Sequence, residues 1–121
     1  MKRILIVDDE PNIVLSLEYL MRSKGLEVNI ARNGNEALEQ LEAHTFDLML
    51  LDITMPEVDG YEICKIVKNH PTWHEMHVVF LSAKSKQSDI EKGMSLGASD
   101  YIVKPFSTRA LSQRVLELLN T

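Results

Sequence analysis

The sequence predicts an α/β fold in which five parallel strands alternate with five helices to form a doubly wound sheet. Strand-like and helix-like segments alternate along the whole chain and are joined by short connections. Three of the strand segments are continuous apolar runs, as expected for strands that are covered on both faces. Right-handed crossovers between successive strands place helices on both sides of such a sheet. At 121 residues, the chain is expected to form one domain, residues 1–121.

The strand segments are short stretches rich in apolar and β-branched residues. The first, third and fourth are almost wholly apolar, whereas the second and fifth mix polar and apolar residues. In chain order, the predicted strands are Arg3–Val7, Glu27–Ala31, Leu48–Leu51, His77–Leu81 and Asp100–Val103.

The intervening segments carry apolar residues at the spacing of one helix face. Pro11 suits the first turn of the first helix, and Gly25 suits the position just after its end. Asp59 is expected to cap the third helix and Ser107 the fifth. The fourth helix, at about residues 87–96, has the weakest pattern.

Composition excludes several classes of protein. The net charge of −5 argues against direct binding of nucleic acid, which depends on Lys and Arg contacts to phosphate. The single Cys64 excludes an internal disulfide. No apolar stretch approaches the ~20 residues of a membrane span, and no signal peptide is evident. A cytoplasmic location is therefore expected.

Reactive polar residues follow four of the predicted strands. Asp8 and Asp9 follow the first strand, Asp52 the third, Ser82 the fourth and Lys104 the fifth. Ligands bind outside the carboxyl ends of the strands in open α/β sheets, so these side chains are expected at one edge. At about 5 Å and an effective dielectric near 20, two carboxylates repel by roughly 3 kcal/mol. A hard cation such as Mg²⁺, with Mn²⁺ as an alternative, would neutralise them together with Lys104.

Five sequence elements in order strongly resemble the receiver domain of two-component response regulators, including chemotaxis regulators. They are Asp8-Asp9, the segment from Leu50 to Pro56 around Asp52, Asp59-Gly60, Ser82-Ala83 and Lys104-Pro105-Phe106. The resemblance covers the whole chain at matching spacings. It implies a flavodoxin-like sheet with the strand order 2-1-3-4-5.

The resemblance also implies a role for each residue. Asp52 would be the nucleophile that takes a phosphoryl group from a phosphohistidine. Asp9 would bind Mg²⁺ directly and Asp8 through water, while Asp52 and the backbone carbonyl of Thr54 complete the protein ligands. Lys104 would pair first with Asp52 and then with the phosphoryl oxygens.

Two further residues would form a conformational switch. The Ser82 hydroxyl would turn towards the new phosphoryl group and draw its loop inward, and Tyr101 would enter the vacated space. The surface formed by the fourth helix, fifth strand and fifth helix would then control an output domain or downstream protein.

The implied partners are a sensor histidine kinase or a histidine phosphotransfer protein, with no direct nucleic-acid or membrane contact. Asp100 and Arg114 match one charged pair of the two-fold interface in receivers that precede DNA-binding domains, but Ala110 replaces an acidic residue of that interface. Exposed pairs contribute about 0–1 kcal/mol each. A monomer is therefore expected before phosphorylation, and at most a weak dimer afterwards.

Three other functions compete with this interpretation. A Mg²⁺-dependent hydrolase with an Asp nucleophile would usually place a second Asp where this chain has Thr54, which cannot act as a general acid. A nucleotide- or flavin-binding module would want glycines where Asp8, Asp9 and Glu10 follow the first strand. A receiver-like docking module without phosphorylation would be expected to lose Asp52 or Lys104. The phosphoacceptor, which is not a conventional turnover enzyme, is the favoured interpretation.

Overall fold

The computed structural model describes residues 1–120, which contain five strands, five α-helices and one short 3₁₀ helix. The strand bounds agree with the predicted ones, except that the fourth strand extends by one residue to Ser82. In chain order the elements are β1 (Arg3–Val7), α1 (Pro11–Ser23), β2 (Glu27–Ala31), α2 (Gly34–Ala43), β3 (Leu48–Leu51), α3 (Gly60–Lys68), the 3₁₀ helix (Trp73–Glu75), β4 (His77–Ser82), α4 (Gln87–Ser95), β5 (Asp100–Val103) and α5 (Thr108–Leu119).

The strands form one parallel sheet in the order β2-β1-β3-β4-β5, which confirms the predicted fold class and strand order. Leu51 at the end of β3 pairs with Val7 at the end of β1 and with Phe80 in β4. Ser82 pairs with Val103, so β4 and β5 also end together. This register brings the carboxyl ends of four strands to one edge of the sheet.

Each face of the sheet is covered by its own set of helices, which explains why β1, β3 and β4 are apolar throughout. Ile4 and Leu48 pack on the α1 and α5 side, together with Leu17 and Val115. Leu5 and Met49 pack on the opposite side with apolar residues of α2 and α3. Every helix within residues 1–120 is too short or too polar to cross a membrane.

Side-chain caps fix where three helices begin. Asp59 accepts a hydrogen bond from the Glu62 backbone N–H, and Ser107 accepts one from the Ala110 backbone N–H, so both predicted caps are confirmed. Asn33 caps α2 in the same way. Each cap satisfies a backbone N–H that would otherwise have no partner in the helix, and typically stabilises it by about 1 kcal/mol.

Candidate functional site

The sheet ladder continues for one residue beyond β1, β3 and β5, and this positions the polar residues that follow them. The Asp52 backbone N–H donates to the Val7 carbonyl (2.9 Å), and the Asp8 N–H donates to the Ala31 carbonyl (3.1 Å). The Lys104 N–H donates to the Ser82 carbonyl (2.8 Å). These hydrogen bonds hold the backbone of Asp8, Asp52 and Lys104 in the sheet, so their side chains meet at one edge.

Lys104 is the cation at the centre of this edge. Its Nζ lies 2.8 Å from Asp8 Oδ2, 3.1 Å from Glu10 Oε1 and 3.8 Å from Asp52 Oδ1. Asp8 and Asp52 are only 2% and 4% exposed. Water screens these two buried charges poorly, so both interact with the ammonium at a reduced dielectric, whereas the Glu10 side chain is 59% exposed.

The carboxylate oxygens of Asp8, Glu10 and Asp52, here named the acidic cluster, lie within 4.8 Å of one another. Asp9 is exposed and is not a member of this cluster, and Thr54 is also exposed. Glu10 is not among the residues that the sequence predicts for the site. Its position directly after two predicted ligands, at the N-cap of α1, was the available signal.

Burial raises the pKa of Asp52 from 3.8 to about 6, and the Asp8 carboxylate adds to the rise, while the Lys104 ammonium opposes it. Burial by itself would lower the pKa of Lys104, but the hydrogen bond to Asp8 and the charges of Asp52 and Asp8 raise it. Above pH 6, Asp52 is therefore mostly an anion beside an ammonium that holds its proton. A buried carboxylate in this state is available as a nucleophile.

We expect Asp52→Asn to stabilise the metal-free protein above about pH 6. The Asp52 pKa of about 6 exceeds the ordinary aspartate value of 3.8, so between these values the folded state binds more protons than the unfolded state. The free energy of unfolding therefore falls as pH rises through that window, by up to ~3 kcal/mol. Asparagine does not titrate, so the free energy of unfolding of the variant lacks this decrease with pH.

Urea unfolding from pH 3.5 to 8 in the presence of a chelator measures this effect. The stability advantage of Asp52→Asn should be on the order of 1–3 kcal/mol at pH 8 and should vanish below about pH 4. A difference between the two proteins that does not change with pH would show that the charge of Asp52 is not the cause.

The loop after Asp52 is closed by a tight backbone contact. The Gly60 N–H donates to the Ile53 carbonyl (2.9 Å). A Cβ atom added at Gly60 would meet the Asp52 carbonyl oxygen and would lie 2.7 Å from Ile53 Cα. A side chain cannot be accommodated there without moving the backbone that carries Asp52.

The two predicted switch residues contact the same loop residue, Lys84. The Lys84 backbone N–H donates to Ser82 Oγ (3.2 Å), and the Tyr101 hydroxyl donates to the Lys84 carbonyl (2.7 Å). Ser82 and Tyr101 are 0% and 8% exposed, and the Tyr101 ring packs against Phe80 at 5.8 Å between centroids. Tyr101 thus lies inside the surface and holds the loop that begins at Ser82.

Asp100 and Arg114 form an ion pair within this chain, with Arg114 Nε 2.7 Å from Asp100 Oδ2. Arg114 also approaches Glu117 at 3.8 Å. Ala110 is exposed on the same helix. Asp100 and Arg114 are therefore already paired with each other in the single chain.

Comparison with known proteins identifies relatives along almost the whole chain. A family model described as the response regulator receiver domain matches residues 4–116. The alkaline phosphatase synthesis transcriptional regulatory protein PhoP of Bacillus subtilis is 40% identical over 118 residues. That alignment covers 98% of this chain but 48% of the relative, so the chain spans about half the length of that protein.

Two solved structures share the fold closely. The response regulator receiver domain protein from Methanospirillum hungatei is 31% identical, with a TM-score of 0.92 and coverage of 99% of this chain and 94% of that one. The signal receiver domain of a signal transduction histidine kinase from Syntrophus aciditrophicus is 33% identical, with a TM-score of 0.92 and coverage of 99% and 91%. The same fold thus occurs in proteins of different overall organisation.

Proposed function

The chain belongs to the response regulator receiver domain family of two-component systems, and from this premise we propose that Asp52 accepts a phosphoryl group from a histidine kinase or a histidine phosphotransfer protein. Receiver domains are generally regulators and not conventional enzymes. We assign residues 1–121 to one such domain. The observation that carries the proposal is the buried Asp52 carboxylate, 4% exposed, with the Lys104 ammonium 3.8 Å away.

The proposed reaction uses Asp52 as an anionic nucleophile. A carboxylate oxygen of Asp52 forms a bond to phosphorus while the bond from phosphorus to the donor imidazole nitrogen breaks, and that electron pair leaves with the imidazole. Phosphoryl transfer depends mainly on positioning and charge neutralisation. The backbone ladder positions Asp52, and Lys104 supplies positive charge beside the incoming phosphoryl oxygens.

The donor chemistry of the site fits a hard divalent cation, because the acidic cluster brings three carboxylates together against one ammonium. Asp9, Asp52 and the Thr54 carbonyl would hold Mg²⁺ or Mn²⁺, with Asp8 acting through water. When bound, the ion would neutralise charge on the phosphoryl oxygens. Asp9 is exposed and is not a member of the cluster, so its role depends on its side chain turning inward.

Mg²⁺ should raise the melting temperature of the wild type, because a ligand that binds only the folded state stabilises it by about 2.7 kcal/mol at a hundredfold excess over Kd. Asp9→Ala should abolish the response to Mg²⁺ and should leave the metal-free melting temperature nearly unchanged, because the exposed Asp9 lies outside the acidic cluster. Thermal unfolding at increasing Mg²⁺ concentration measures both effects. A full Mg²⁺ response in the variant would exclude Asp9 as a ligand.

The phosphorylated state would act through the surface formed by α4, β5 and α5. Ser82 would bind a phosphoryl oxygen, and Tyr101, which is already buried, would keep its hydroxyl on the Lys84 carbonyl and so hold the β4–α4 loop. The ion pair of Asp100 and Arg114 within the chain supports a monomer before phosphorylation. At most a weak dimer is proposed after it. Light scattering with beryllofluoride, a mimic of the phosphoryl group on Asp52, tests this assembly.

The function is tested by intact-mass analysis during incubation with acetyl phosphate and Mg²⁺, while release of inorganic phosphate is followed in parallel. A receiver should gain one phosphoryl group per chain. The hydrolase alternative instead predicts many turnovers of a phosphate ester without a lasting mass increase, and a docking module predicts neither result. Wild-type protein that gains no mass under these conditions would contradict the proposal.

A further inference from the structure

The Lys104 ammonium has three N–H donors and three carboxylates around it. It lies closest to Asp8 (2.8 Å) and Glu10 (3.1 Å), and farthest from Asp52 (3.8 Å). Two of its donors are thus directed to carboxylates that are not the proposed acceptor. A phosphoryl group on Asp52 adds several acceptor oxygens beside Asp52. The third donor of Lys104 can meet one of them, but a second close contact requires Lys104 to give up one of its present partners.

Asp8 and Glu10 differ in the free-energy cost of losing their contact with Lys104. Asp8 is 2% exposed, and its Oδ1 also accepts the Glu10 backbone N–H at 2.9 Å. Losing Lys104 would leave Asp8 as a buried charge without its cation, which is strongly unfavourable. The Glu10 side chain is 59% exposed, so water can replace Lys104 there. The contact between Lys104 and Glu10 is therefore the one that breaks when Lys104 binds the phosphoryl group.

We propose that the Glu10 carboxylate is a positioning residue that holds Lys104 back from Asp52 and competes with the phosphoryl group for the Lys104 ammonium. This inference rests on the proposed function of Asp52. The negative charge of Glu10 also repels anionic phosphodonors as they approach the site. Glu10 thus slows the uptake of a phosphoryl group and weakens the binding of its mimics.

Glu10→Gln isolates this role. The substitution keeps the backbone N–H that Asp8 accepts, and it loses no helix cap, since the Glu10 side chain makes no capping hydrogen bond to α1. Labelling by acetyl phosphate at saturating Mg²⁺ should become roughly two- to fivefold faster, the factor that a partly exposed ion pair can supply. The gain should diminish at high salt, which screens exposed charges.

Two binding measurements separate competition for Lys104 from metal binding and from a merely structural effect. The beryllofluoride concentration that gives half of the rise in melting temperature should fall by the same two- to fivefold factor. The Mg²⁺ concentration that gives half of its own stabilisation should not rise. Glu39→Gln, which removes an exposed charge from α2, serves as the matched control and should change neither the labelling rate nor beryllofluoride binding.

Slower labelling of Glu10→Gln with a higher Mg²⁺ requirement would identify Glu10 as a metal ligand and overturn the inference. An unchanged labelling rate, or an equal gain in Glu39→Gln, would also overturn it while leaving the proposed function intact. If the wild type itself takes up no phosphoryl group, the proposed function fails and the inference fails with it.

Discussion

Gly60→Ala should destabilise the protein by about 3 kcal/mol and should strongly reduce phosphoryl uptake. The added Cβ would meet the Asp52 carbonyl oxygen and would lie 2.7 Å from Ile53 Cα. Both contacts are with backbone, which cannot rotate away as a flexible side chain can. Overpacking of this kind typically costs about 1–3 kcal/mol, and the loop that must move carries the proposed nucleophile. Urea unfolding and acetyl phosphate labelling measure the two effects.

Gly25→Ala is the matched control, because it adds the same methyl group where no atom outside the adjacent residues lies within 4 Å. Gly25 has a φ of +81°, so alanine there carries only the cost of the left-handed conformation, about 1–2 kcal/mol. This control should keep full labelling. Equal losses of stability and of labelling in the two variants would show that the contact of Gly60 with the Asp52 segment has no special importance.

Lys104→Met should destabilise the metal-free protein by about 3–5 kcal/mol at pH 8, because it leaves Asp8 and Asp52 buried without their cation. The Lys104 ammonium keeps the pKa of Asp52 lower than burial alone would set it, so its removal raises that pKa further above about 6. The folded variant therefore binds protons at a higher pH than the unfolded chain does. Its stability should fall as pH rises and recover as pH drops below the raised pKa.

Lys104→Met is compared with Lys65→Met. This control removes an exposed charge from α3 and should change the free energy of unfolding by less than about 1 kcal/mol. Urea unfolding of both proteins from pH 5 to 8, with a chelator present, gives the comparison. A deficit of Lys104→Met that stays constant over this range, or that matches the control, would mean that the buried carboxylates do not depend on Lys104.

The fold could be predicted because its signals are local and agree with one another. Continuous apolar runs marked the strands that are covered on both faces, and the residues at Asp59 and Ser107 marked helix starts that the structure confirms. Once the strands were placed, a parallel sheet required their carboxyl ends to share an edge. That requirement brought Asp52 and Lys104 together although they lie far apart in the sequence.

Side-chain directions within the site could not be predicted in this way. The sequence predicts that Asp8 and Asp9 lie at the edge, and the resemblance implies that Asp9 binds the metal directly and Asp8 through water. In the structure Asp8 is buried against Lys104, whereas Asp9 is exposed and Glu10, for which no role was predicted, also reaches Lys104. These contacts depend on the turn between β1 and α1 and on side-chain length, which residue spacing alone does not encode.

The ion pair of Asp100 and Arg114 is a second contact that could not be predicted from the sequence. The resemblance placed both residues in an interface between two copies, but the structure pairs them within one chain at 2.7 Å. A spacing of 14 residues across the turn from β5 into α5 gives no local signal for this contact. It becomes visible only once α5 packs beside β5.

The most direct measurement of the central claim is identification of the residue that carries the phosphoryl group. Wild-type protein labelled with acetyl phosphate and Mg²⁺ is treated with borohydride, which reduces an aspartyl phosphate to homoserine, and its peptides are sequenced by mass spectrometry. Homoserine should occur at position 52 alone, and Asp52→Asn should yield none. Homoserine at Asp8 or Asp9, or undiminished labelling of Asp52→Asn, would contradict the assignment of Asp52 as the phosphoacceptor.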